Sequence, residues 1–183
     1  LHPRVRRQRQ MCIRDRTQRV QRSQIIDGAY QLIINEGFKK FHARNIAQHI
    51  ACSTQPIYRE FANLAELKSV LTTRVLLKYA DFLEDQEPKT LQALSKAITN
   101  YATDYPDEFY RFFLQDSDTI QLTKQVTRDI FNTIKPEKST SLFFDFFWQY
   151  CIGKAALAVN NANHVENLAV SYTHLTLPTN ARV

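Results

Sequence analysis

Residues Gly37 to Phe61 read GFKKFHARNIAQHIACSTQPIYREF. Apolar spacing predicts a short helix over Ala43 to Ile50, with Ile46, Ala47 and Ile50 on one face. Ala47 is small where a second helix must come close, and Cys52 is a small apolar plug, a structural thiol, in the turn that follows. Ser53 or Thr54 can cap the next helix, and Pro56 fits its opening turn, where a missing N–H costs nothing. That helix runs from about Gln55 to Phe61, with Ile57 and Phe61 at i and i+4 facing inward. Two helices of about two turns joined by three or four residues make a helix-turn-helix.

With Ile57 and Phe61 inward, Thr54, Gln55, Tyr58 and Arg59 face out near the start of the second helix. A recognition helix presents side chains to the major groove from this position. Gln55 suits the edge of an adenine, and the Pro56 ring a thymine methyl. Tyr58, Thr54 and Arg44 suit phosphate oxygens, which set register without reading sequence.

Outward from the motif, the chain reads as helix almost throughout. Ile25, Ile26, Ala29, Tyr30 and Ile33 form a stripe that Gly37 closes. Leu64, Leu67, Leu71, Val75 and Tyr79 mark a long helix ending before Pro88. Leu91, Leu94, Ile98 and Tyr101 define the next, closed by Asp104, Tyr105 and Pro106, and helical segments follow near 107–115, 118–134 and 139–160. The expected class is all-α: a three-helix DNA-binding module over 17–68, then a larger helical bundle over 69–168. Three cysteines at unrelated spacings give no disulfide framework and no metal pair, and no metal or cofactor is expected. The Arg-rich start lacks an apolar h-region, and no run approaches the roughly 18 apolar residues of a membrane span. A cytoplasmic protein without membrane contact is the expectation.

The formal charge of +6 is concentrated at the ends. Residues 1–16 hold six Arg and one Asp, and residues 169–183 one Arg, so the ends carry +5 and +1. Moreover, the reverse complement of one back-translation of Arg6 to Arg16 encodes Val170 to Thr179 in a single frame. Selection on folding gives no reason for such a relation, and both segments resemble the translated transposase adapter of shotgun sequencing libraries. Residues 1–16 and 169–183 therefore read as a non-native leader and tail around an insert of Thr17 to Leu168. The insert is neutral but polarised: nine basic and four acidic residues over 17–78, a net of +5, against eight and thirteen over 79–168, a net of −5. One half is suited to a polyanion and the other is not.

Gly37, Phe38, Arg44, Ile46, Ala47, Ser53, Ile57, Tyr58, Phe61, Glu66 and Leu67 together resemble the N-terminal pattern of the TetR family of repressors. The resemblance covers about 45 residues of motif. It departs at Ala51, where a turn glycine is usual, at Cys52 for a valine, at His42 for a Ser or Thr cap, and at Leu64 for a lysine. Lys68, a turn later, is a candidate substitute for that phosphate contact. The resemblance implies a repressor that binds a palindrome in double-stranded DNA as a homodimer. It also implies a small-molecule effector of unknown identity and a dimer interface built from the last two helices. Because genuine sequence reads as stopping near Leu168, most of one dimerisation helix is expected to be missing, and dimerisation weak.

Phe143, Phe144, Phe146, Phe147, Trp148 and Tyr150 crowd one helix, which reads either as a subunit interface or as a buried central helix. Phe109, Tyr110, Phe112 and Phe113 form a second cluster, for a ligand pocket or for core packing. Catalysis is not expected. His42, His49, Cys52, Cys151 and His164 match no catalytic signature, and no phosphate-cradling glycine loop occurs. A helical protein-interaction module that does not read DNA sequence is the alternative.

Overall fold

The computed structural model describes residues 20–134 and 141–173, with side chains through residue 161. Among the described residues the fold is all-α. Helices α1 (Arg22–Glu36), α2 (Ala43–His49) and α3 (Gln55–Glu60) form a small head. Helices α4 (Leu64–Asp85), α5 (Leu91–Asp104), α6 (Pro106–Glu108), α7 (Ser117–Ile134) and α8 (Ser141–Thr173) form the body, with a π-helical turn over Phe109–Phe113 after α6. The 1–16 leader lies outside the described residues, as does the tail beyond Thr173.

Local chemistry sets the helix ends. At α1 the Gln21 N–H donates to Gln24 Oε1 at 2.8 Å, and Gly37, at φ +81°, turns the chain away while donating to Ile33 O at 2.8 Å. Asn63 Oδ1 accepts the Glu66 N–H at 2.9 Å, and Glu66 reaches back to the Ala62 N–H at 2.7 Å, a reciprocal cap on α4. Thr90 caps α5 by accepting from the Ala93 N–H at 3.1 Å.

α4 is the spine. Leu67, Leu71, Val75, Tyr79 and Leu83 are fully buried along one face, and the expected boundary at 68/69 falls inside this unbroken helix. α5 packs along α8, and Leu94, Ala97, Ile98 and Tyr101 of the one and Phe144, Trp148, Cys151, Ala155 and Val159 of the other are buried in the body. The second aromatic cluster is core. Phe109, Phe112 and Phe113 are buried, with Phe113 edge-on to Tyr79 at 4.9 Å and tilted against Phe109 at 5.3 Å, and only Tyr110 faces out.

Two expectations need correction. The helix expected to end at 160 continues through Asn160 and Asn161 to Thr173, because two asparagines inside an apolar helix weaken its propensity without breaking it. Ser141–Asn161 also has a mean hydropathy of 1.2, enough by length and composition to cross a membrane, contrary to the reading that no run approaches that limit. One face of this helix is core, and Asp145 near its start pairs with Lys124 at 2.8 Å and Arg128 at 3.4 Å on α7. The opposite line, Leu142, Phe146, Tyr150 and Leu157, is exposed, with Phe146 at 62% and Leu157 at 64%. The buried-helix reading holds for one face, and the other face is apolar and exposed.

Candidate nucleic-acid interface

The head is assembled around Ile25, Ala29, Ile33, Ile46, Ala47, Ile57 and Phe61, all buried. Ile50 is half-buried and lies against Gly28 of α1, where an added Cβ would collide with Ile50 Cγ2. A glycine in mid-helix is therefore what lets α1 approach the end of α2.

The α2–α3 turn is a Schellman motif. The Cys52 N–H donates to Ala47 O at 2.8 Å and the Ala51 N–H to Gln48 O at 3.2 Å, with Ala51 left-handed at φ 53°. Half-buried Cys52 sits just past the turn, its Sγ 3.0 Å from Ser53 O. Capping differs from expectation. Thr54 precedes α3 but makes no side-chain cap bond, since its backbone is already helical (φ −72°, ψ −16°), and His42 makes none at α2.

Gln55, Tyr58 and Arg59 occupy i, i+3 and i+4 of α3 and are exposed, Tyr58 at 56%, while Ile57 points into the core. Thr54 and Arg44 are exposed and Pro56 is half-buried. A surface groove of about 1190 Å³ opens between the start of α1 and the turn, lined by Gln24, Asp27, Cys52, Ser53, Gln55 and Arg59 among others.

The two remaining cations are engaged within the protein. Arg59 Nη2 donates to Val20 O at 3.3 Å and its Nε pairs with Glu60 at 3.1 Å, so the side chain ties α3 to the start of α1. Lys68 Nζ lies 2.7 Å from Asp116 and 3.0 Å from Asp118, spanning from α4 to the start of α7. Burial opposes the charge on Asp116, but the Lys68 ammonium and the Thr119 hydroxyl and amide outweigh it, so this carboxyl titrates below its usual range. Sequence reasoning also missed Arg22, which donates to Glu60 O, pairs with Glu66 at 3.6 Å and stacks 4.0 Å over the Phe61 ring, fixing the end of α3.

The body holds a second polar assembly with no counterpart in the sequence reading. Glu108 is 4% exposed and accepts hydrogen bonds from the Tyr30 and Tyr101 hydroxyls, while Lys78 Nζ lies at 3.0 Å. Burial and the Glu108 carboxylate raise both phenols well above the usual range, so they stay protonated donors. Burial also pushes the Cys151 thiol up to about 11 and raises Cys52, the opposite of what activates a nucleophile. His42 and His49 stand at opposite ends of α2, and among the described residues no cluster of His, Cys, Asp and Glu could hold a metal.

No family model matches the sequence, and no curated protein does. Solved structures do match. One is the crystal structure of a proposed tetR family transcription regulator from Shewanella sp. PV-4, with a TM-score of 0.59 at 15% identity, over 82% of this chain and 89% of that one. The two share a fold. In this chain it is a helix-turn-helix head joined to a helical body through the long helix α4.

Proposed function

We propose that the chain is a DNA-binding transcriptional regulator, a repressor that binds a palindromic operator as a homodimer in the cytoplasm and releases it on binding a small effector. The observation that carries this reading is the exposed i, i+3, i+4 face of α3, held rigid from behind by Ile57 and Phe61. Gln55 reads an adenine edge, Pro56 touches a thymine methyl, and Arg44, Thr54 and Tyr58 hold phosphates. Arg59 and Lys68 enter in another capacity, Arg59 tying α3 to the start of α1 and Lys68 tying α4 to the start of α7. The fold shared with a proposed transcription regulator supports the same reading. The exposed line on α8 is the surface assigned to self-association. Effector release requires different affinities for two arrangements of the heads.

The test is an electrophoretic shift on duplex DNA flanking the gene. Gln55→Ala should relax preference at one base position by about 1–3 kcal/mol. Arg44→Ala should weaken all sequences alike and lower the salt slope by about 1. Identical profiles for both variants and the parent chain would sink the assignment.

A further inference from the structure

We infer that the orientation of the head is set by a polar clamp on α1, formed by Glu108 and Arg111 of the segment running from α6 into the π-helical turn. Glu108 is shared by donors from three helices: Tyr30 of α1, Lys78 of α4 and Tyr101 of α5. Tyr101 and Lys78 are anchored in the body independently of it. The Tyr101 ring packs on Tyr79 at 5.0 Å and Phe82 at 5.3 Å, and Lys78 sits 3.3 Å over the Tyr105 ring. Tyr30 belongs to the head, so of the three bonds to Glu108 its own crosses from head to body, beside the exposed Arg74–Asp27 pair at 2.6 Å. A carboxylate buried to this degree binds its donors strongly, and replacing its charge leaves them short of an acceptor.

One turn on, Arg111 Nε donates to Ile34 O at 3.1 Å and Nη2 to Asn35 O at 3.4 Å, two carbonyls in the last turn of α1. Carbonyls there have no partner inside the helix, so a guanidinium supplied from the body closes them. Gln115 Oε1, 3.2 Å from Nη1, holds the side chain in place. Glu108 and Arg111 therefore grip α1 at its middle and at its end, from one short segment. A shift of that segment turns α1, and with it the α2–α3 pair packed against it. Glu108 and Arg111 are positioning residues. Only the consequence for DNA rests on the function proposed above; the clamp itself is tested without DNA.

The experiment places ketone-reactive nitroxides on p-acetylphenylalanine at Gln48 of α2 and Gln92 of α5, both exposed, in the full chain, and reads their distance distribution by double electron–electron resonance. Glu108→Gln and Arg111→Ala should each broaden the distribution at least twofold. Arg111→Lys, which can still reach a carbonyl, should restore much of the narrow distribution. Thr127→Val destabilises the body away from α1 and should leave the width unchanged. No broadening, broadening in only one of the two variants, or equal broadening in Thr127→Val overturns the proposal. Should Glu108→Gln fail to fold, Arg111→Ala and its lysine rescue decide by the same criterion.

Discussion

Ala51 is one of two non-glycine residues, with Glu87, that the described chain holds at positive φ. The Schellman turn requires a left-handed residue after α2, and Ala51 supplies one at φ 53° with a Cβ that resists it. Ala51→Gly should raise stability by about 1 kcal/mol, reduced by the greater freedom of glycine in the unfolded chain. Urea unfolding checks this, and a loss of stability would mean that the Ala51 side chain makes a compensating contact. The position was legible in the sequence as a departure from a family pattern. Gly28 was not singled out, although glycine inside an apolar helical stripe calls for a packing reason, and that reason is Ile50. Glu108 and Arg111 were not legible. Their partners Tyr30 and Ile34 lie 78 and 77 positions away, and nothing local in a charged residue beside aromatics distinguishes a buried acceptor from a solvated one.

At the scale of elements, α1 to α5 were legible because their inward faces are apolar at helical spacing. α7 was placed only as a segment, because its inward face is threonine. Thr119, Thr123 and Thr127 are fully buried, while Leu122 of the same helix is 45% exposed. Burial is possible because each hydroxyl is bonded: Thr119 to Asp116 at 2.6 Å, Thr123 to Ile120 O at 3.0 Å, and Thr127 to Thr123 O at 2.9 Å. Thr127 also meets the buried Tyr79 hydroxyl at 2.8 Å. Thr127→Val should therefore cost about 1–3 kcal/mol, because it strands that hydroxyl. Thr123→Val, which strands nothing outside its own helix, should cost less. Equal costs in urea unfolding would show that the interhelical bond adds nothing.

For the whole molecule, charge and oligomeric state make two predictions. The depressed Asp116 carboxyl stabilises the fold above its unfolded value of 3.8, and that contribution is lost as pH falls below it. The melting temperature should consequently fall more steeply on acidification in the parent chain than in Asp116→Asn; parallel curves would remove Asp116 from the acid limb. On α8, Phe146→Glu should abolish whatever self-association sedimentation velocity detects, because it places a charge in the middle of the exposed apolar line. Self-association that survives Phe146→Glu would move the interface elsewhere.

The unbroken α4 carries a consequence in plain mechanics. At 22 residues, and a rise of about 1.5 Å each, it is a rod of about 33 Å with the head at one end and the body wrapped around the rest. Pivoting such a rod by about 5° at its far end displaces the head by about 3 Å, close to the roughly 3.4 Å between stacked base pairs. A tilt of a few degrees at the far end of the rod therefore reaches the head as a displacement of ångströms.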